Sequence, residues 1–222
     1  MTEKITIFGV DIDCITAKAA MLRALEFMEN DFLDTIEIVS MQMLLEGKEN
    51  SRWKEDVSEF GLNIPGEKEI LEASGVEDKG LLKEAQGRVF LKMFMRYLQR
   101  NNGKVYLLAG SDAELANVAE SVERYDRGIR IVGAAVMSPE EESPERIVNE
   151  INGTETDCII SVLPSPYQEE FIREYRPLLN AKVWLGCGTA LGKSYGERQF
   201  WNRIREFFTK KLFRYQVGHE QE

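Results

Sequence analysis

"SVLPSPYQEEFI", residues 161–172, is an apolar run that breaks on two prolines and resumes as the polar start of a helix. A buried strand handing over through Pro164 and Pro166 to a helix is the joint from which α/β domains are built. The same alternation recurs along the chain. Strand-like runs are "KITIFGVDI" (4–12), "TIEIVSM" (35–41), "KVYLLAG" (104–110), "IRIVGAAV" (129–136), "TDCIISVLP" (156–164) and "AKVWLGCG" (181–188). Helical stripes lie between them. Ala17, Ala20, Met21, Ala24, Leu25 and Met28 repeat with helical spacing behind Thr16 as N-cap. Phe90, Met93, Phe94, Tyr97 and Leu98 repeat likewise, and "RNNG" (100–103) closes that helix. Further helices are expected after Asp112, Ser138 and Ser165, while 48–83 shows no clear period. The pattern predicts an α/β domain with a largely parallel sheet flanked by helices.

Composition narrows the function classes. The chain has 222 residues, 43% hydrophobic and 30% charged, enough for one cored domain with an appendage. A net charge of −10 argues against a nucleic-acid binder. Cys14, Cys158 and Cys187 are far apart and odd in number, so they read as buried thiols rather than a disulfide frame. The only histidine, His219, sits in a polar tail, which removes Ser-His and Cys-His chemistry and leaves zinc without its usual ligands. No apolar run approaches the ~20 residues of a membrane span, so the expected location is cytoplasmic.

Some stretches have a plain structural reading beside a functional one. "VDID" (10–13) has the carboxylate spacing of a cation site, but Asp13 equally suits a turn into the next helix. "LLAGSDAELA" (107–116) opens a helix after a strand with no dinucleotide fingerprint, and Asp112 at the helix start would repel phosphate. Ser165, Pro166 and Gln168 fit a capping box, and Glu169 favours the first turn. The same pair would also face the crevice at the carboxyl ends of parallel strands.

The C-terminal stretch "ERQFWNRIREFFTKKLFRYQ" (197–216) departs from the rest of the chain, with six basic residues against two acidic ones. Phe200, Ile204, Phe207, Phe208 and Tyr215 fall near one helical face, suiting either a sheet-capping helix or a membrane-surface or partner contact. The chain therefore divides at 1–196 and 197–222. Met41, Met43, Met93 and Met95 suit core packing, or a contact between subunits of a homo-oligomer.

"SVLPSPYQEEFI" resembles the strand-Pro-x-Gln-Glu-helix motif of the WecG/TagA/CpsF bacterial glycosyltransferases. "ITIFGVDIDCITAKAA" is similar to the family's opening strand and helix, "KVYLLAG" and "IRIVGAAV" to its central strands, and "VWLGCGTALG" to its glycine loop. The resemblance implies a Rossmann-like domain. It implies transfer of a hexose or N-acetylhexosamine, of the N-acetylmannosamine type, from a UDP-sugar to a lipid-linked saccharide in cell-wall or surface polysaccharide synthesis. It further implies no cofactor or metal, and a C-terminal segment tied to peripheral membrane association and to completing the site.

Carried onto this chain, the motifs nominate Ser40 and Gln42 (the family's Thr-x-Asn), Arg88, Gln168, Glu169 and Arg214 for substrate binding. Arg88 and Arg214 would be bidentate phosphate partners. The family's Asp-Gly pair, whose aspartate is the proposed base, reads Gly66-Glu67 in "LNIPGEKE" (62–69). The candidate base is therefore Glu67, displaced by one position. "RVFLKMF" (88–94) keeps Arg88 and Val89, but Leu91 and Met93 replace the family's glycine and aspartate. These departures support a second reading, a catalytically inactive homologue that binds a nucleotide-sugar or a partner glycosyltransferase. A sugar-phosphate or nucleotide enzyme on the same fold is a third.

Overall fold

The computed structural model describes residues 4–125, 128–139 and 144–191 and, in the C-terminal segment, 209, 210, 213 and 216–218. Six strands form one sheet in the order β4(Leu62–Pro65), β3(Asp34–Val39), β8(Val183–Gly186), β7(Cys158–Val162), β5(Lys104–Ala109), β6(Arg130–Val136), with every neighbouring pair parallel. This is the expected helix-flanked, Rossmann-like architecture. All the carboxyl ends therefore lie at one end of the sheet, where parallel α/β sheets bind ligands.

The first apolar run is not a strand of that sheet. β1(Lys4–Ile7) and β2(Val10–Asp13) pair antiparallel as a separate hairpin. Phe8 and Gly9 at its turn have φ of 51° and 79°. Two consecutive positive φ values make a tight hairpin turn, which folds the run back on itself. The irregular region 48–83, which follows α2(Met41–Gly47), holds one sheet strand, β4, the helices α3(Ser51–Ser58) and α4(Lys68–Ala73) and the start of α5(Lys79–Gly87). These elements are too short for a period to stand out.

Two apolar layers sandwich the sheet. On one face, Val39, Tyr106, Leu108, Ile159 and Trp184 pack against α2, α3, α8(Pro144–Gly153) and α9(Tyr167–Tyr175). On the other, Ile36, Ile38, Val105, Leu107, Ile160 and Leu185 pack against α1(Ala17–Glu29), α6(Val89–Arg100) and α7(Asp112–Tyr125). Strand alternation sorts the residues between the layers, because successive side chains point to opposite faces. Thr16 caps α1 as expected, its hydroxyl accepting from the Ala19 N–H at 3.2 Å. Met93, expected in the α6 stripe, is 36% exposed, and Leu91 and Met95 are buried instead. The three cysteines are free and buried.

Of the C-terminal segment, Phe213 and Val217 are buried in the α2/α3/α9 layer. The Phe213 ring stands edge-on to Phe8 of the hairpin at 5.9 Å. Lys210 Nζ lies 2.8 Å from Glu69 Oε1 on α4, and Lys48 Nζ donates to Gln216 Oε1 at 3.1 Å. Burial pushes the Glu69 carboxyl up, but Lys210 as hydrogen-bond donor and cation holds it below its ordinary value.

Candidate functional site

A polar row crosses the buried sheet near its carboxyl end. Asn63, Glu37, Gly186 and Ser161 are register partners on β4, β3, β8 and β7. They share the face covered by α9. Glu37 is 1% exposed. Its carboxylate needs the room that Gly186 leaves: a Cβ on Gly186 would lie 1.8 Å from Glu37 Oε2.

α9 supplies the partners of that carboxylate. Gln168 Nε2 donates to Glu37 Oε2 at 2.8 Å, and Trp184 Nε1 donates to Gln168 Oε1 at 3.4 Å. Both ends of the amide are thus held, and Gln168 is 3% exposed. The expected capping box does not form. Pro166 is the N-cap of α9, with no side-chain hydrogen bond. The Ser165 hydroxyl instead donates to Glu169 Oε1 at 3.0 Å, while Gln168 turns inward to Glu37. The buried carboxylate competes successfully for the amide, because leaving it unpaired would cost far more than an open helix cap.

Glu169 is fully buried, and its Oε2 finds no partner of hydrogen-bond geometry; the same holds for the Trp53 indole N–H. Burial pushes the Glu169 carboxyl up to about 7, while its own backbone N–H, the Trp53 dipole and the Ser165 hydroxyl pull it down and Asp56 adds to the rise. The Glu37 carboxyl is raised well above its usual range by burial and then by Glu169, with Gln168 opposing. Glu37 on the sheet and Glu169 on α9 are thus both shifted toward the protonated form, burial being the main cause.

A second group gathers where β3 and β4 end. The Ser40 hydroxyl caps α2 by accepting from the Met43 N–H at 3.1 Å. Glu67, on the loop leaving β4, accepts from the Met41 N–H at 3.1 Å through Oε2. The structure thus brings Ser40 and Glu67 together on the first turn of α2. Gln42 donates to Glu46 at 2.8 Å on its own helix. At Gly66 an added Cβ would meet the Val39 carbonyl oxygen at 2.8 Å and Ile38 Cγ2 at 3.1 Å. The backbone here accommodates a glycine and opposes any side chain.

Arg88 stands on the other face of the sheet. It joins α5 to α6 with φ 49°, a region that L side chains rarely adopt, and its Nη1 donates to the Ala190 carbonyl at 2.5 Å. It lines a groove, open to solvent, between α1, α5, α6 and the ends of β3 and β4. Ile38, Ile64, Gly66, Leu81 and Phe90 are among the other lining residues. Arg214 lies outside the described residues.

Asp13 neither turns the chain nor waits for a cation. Its Oδ1 pairs with Arg23 Nη1 at 2.9 Å, and its Oδ2 accepts from the Asn63 N–H at 2.9 Å, tying the hairpin to α1 and β4. Asp112 is not the cap of α7; the Ser111 hydroxyl accepts from the Glu114 N–H at 3.3 Å. Sequence reasoning missed Glu37. The available signal was a carboxylate between two isoleucines in "TIEIVSM", since a lone charge inside a buried strand requires a partner.

No match was found among curated proteins. Residues 5–199, spanning every strand of the sheet and both polar groups, match the glycosyl transferase WecG/TagA/CpsF family. The chain belongs to the WecG/TagA/CpsF family of glycosyltransferases of cell-wall polysaccharide synthesis.

Proposed function

We propose that the protein transfers a hexose or N-acetylhexosamine from a UDP-sugar to a lipid-linked acceptor at the carboxyl end of the sheet. The observation that carries this is the meeting of Ser40 and Glu67 on one helix start, where β3 and β4 end. In this reading Glu67 takes the proton from the acceptor hydroxyl, and Ser40 and Gln42 contact the sugar. Gln168 and Glu169 brace the adjoining wall through Glu37, and Arg88 neutralises a phosphate. The lipid-linked acceptor brings the protein to the inner face of a membrane as a peripheral partner. No helix among the described residues is long and apolar enough to cross one.

The test is the melting temperature of the purified protein with UDP, UDP-N-acetylglucosamine and UDP-N-acetylmannosamine, followed by turnover with lipid-linked saccharides. Ligand at 100 times its dissociation constant adds about 2.7 kcal/mol, enough for a clear shift. A shift that Ser40→Ala removes, together with sugar transfer, supports the reading; neither shift nor transfer with any donor ends it.

A specific observation favours the second reading, a homologue that binds a nucleotide-sugar without transferring it. Gly66 has no room for a side chain, and Glu67 is bonded to the Met41 N–H. A UDP-sugar shift without turnover is its signature.

A further inference from the structure

The groove between α1, α5 and α6 leaves a cavity of about 40 Å³. That is room for a few waters, whereas a small-molecule pocket needs roughly 300 Å³ or more. Yet its lining includes Pro65 and Gly66, which lead into Glu67 at the carboxyl end of β4. We propose that α5 is a hinged lid over the ends of β3 and β4, closed in this structure. What passes beneath it rests on the transferase reading; the motion itself does not.

α5 is built to move as a unit. None of its residues is fully buried, and its main packing partners are α4 and α6, its neighbours in the chain. A helix with so few buried groups opens at a small fraction of the cost of unfolding the domain. Both of its joints are left-handed. Gly75, just after α4, has φ 77°, with open space where a Cβ would stand. At the other end Arg88, at φ 49° and ψ 45°, closes α5 and opens α6 with no linker between them. Glycine takes such a conformation freely, whereas an arginine is strained in it and keeps it only while its surroundings enforce it.

Two polar latches hold the lid down. Glu84 Oε2 accepts from the Ala17 N–H at 2.6 Å, a carboxylate set on the first amide of α1, where the helix dipole favours it. Arg88 Nη1 donates to the Ala190 carbonyl at 2.5 Å, tying the second joint to the loop after β8. Leu81, Glu84, Ala85 and Arg88 all line the groove and follow one another at helical spacing, so one stripe carries both latches and the apolar underside. Facing it are Cys14, Ile15, Ile38 and Ile64. Both latches are only partly buried, so water can replace either partner as the lid lifts.

Cys14 is a built-in reporter of that motion. It is 5% exposed and lines the groove under α5, whereas Cys158, at 0%, lies within the sheet on β7. The test is the rate at which N-ethylmaleimide labels each thiol of the full chain, read by peptide mass spectrometry. In the wild type Cys14 should react slowly, yet well ahead of Cys158. E84A removes the latch on α1, and L81A thins the apolar underside without touching α1. Each should speed Cys14 labelling roughly tenfold while leaving Cys158 protected. If E84A does not fold, L81A carries the same test. Cys14 labelling that neither variant speeds, or that rises only in step with Cys158 through global unfolding, overturns the inference. So does a wild-type Cys14 that reacts as fast as an exposed thiol, since α5 would then not close. The expected labelling with no response to any UDP-sugar keeps the lid and removes the proposed transferase; sugar transfer with labelling unmoved by both variants keeps the transferase and removes the lid.

Discussion

Gln168 and Glu37 are 131 positions apart in the chain, yet the Gln168 amide donates to the Glu37 carboxylate at 2.8 Å in the fully buried layer between sheet and α9. This bond ties the β7–α9 joint, where the family motif lies, to a strand two places away across the sheet. Gly186 on the strand between them leaves the space the carboxylate occupies.

Gly186→Ala should therefore destabilise the fold. Forcing a methyl group against Glu37 Oε2 costs about 1–3 kcal/mol by overpacking, and more if the Gln168 bond breaks. In urea unfolding, the double variant Gly186→Ala/Glu37→Ala should lose less than the sum of the two single changes, because the clash is gone. Strict additivity would show that Gly186 is not the slot for Glu37.

The two raised carboxyls make stability fall as pH rises. Glu169, near 7 in the folded protein against an ordinary 4.5, contributes stability that is complete below about pH 4.5 and lost as pH climbs through 7. The swing is on the order of 3 kcal/mol, and Glu37 adds to it in the same direction. Glu69 works the other way, its stabilisation present above about 4.5 and lost on acidification. Melting temperatures taken between pH 5 and 8 should decline in the wild type and decline less steeply in Glu169→Gln, where Glu37 remains. A wild-type profile that rises across this window would contradict the buried pair.

The strand-to-helix alternation disclosed the parallel sheet because each strand is an apolar run between polar turns. It did not disclose the hairpin, since "KITIFGVDI" carries its turn on Phe8-Gly9 with no Asn-Gly or Asp-Gly signal. Nor did it show β4, whose four residues are too few for a pattern. At the site, local reasoning left Ser40 inside the strand-like run "TIEIVSM", although it caps α2, and assigned Gln168 to a cap. Its actual partner comes from another strand, and sequence spacing carries no information about such a contact. Glu67 and Ser40 share a helix start for the same non-local reason: β4 lies beside β3, so the loop leaving one reaches the helix that follows the other.

Glu67 offers a way to separate capping from catalysis. Glu67→Gln keeps an oxygen that can accept from the Met41 N–H, so stability should hold within a few tenths of a kcal/mol. If Glu67 is the base, transfer by the same variant falls about 10²- to 10⁴-fold. Glu67→Ala should lose the cap as well, costing about 0.5–2 kcal/mol. Unchanged turnover in Glu67→Gln would leave the residue as a helix cap alone.

Restoring the family's aspartate by Gly66→Asp should fail as a repair. The new Cβ would sit 2.8 Å from the Val39 carbonyl, a backbone atom that cannot swing aside. A loss of about 1–3 kcal/mol is expected with no gain in transfer. A stable, more active Gly66→Asp protein would mean that the β4 loop relaxes freely, and the displaced base would then have to be sought at 66 instead of 67.

The C-terminal segment gives the last test. Phe213 is fully buried against Phe8, and Lys210 pairs with Glu69. Phe213→Ala should cost about 3–5 kcal/mol, as emptying a buried aromatic site does. A segment meeting only membrane would leave the unfolding midpoint of the soluble protein unmoved by that change. Lys210→Glu should act through charge: it sets a second carboxylate against Glu69, so its cost should shrink below about pH 4.5, where both groups protonate. A Phe213→Ala penalty that is constant with pH, beside a Lys210→Glu penalty that fades in acid, would identify the segment as a docked part of this domain, with the Phe213 ring and the Lys210–Glu69 pair among its attachments.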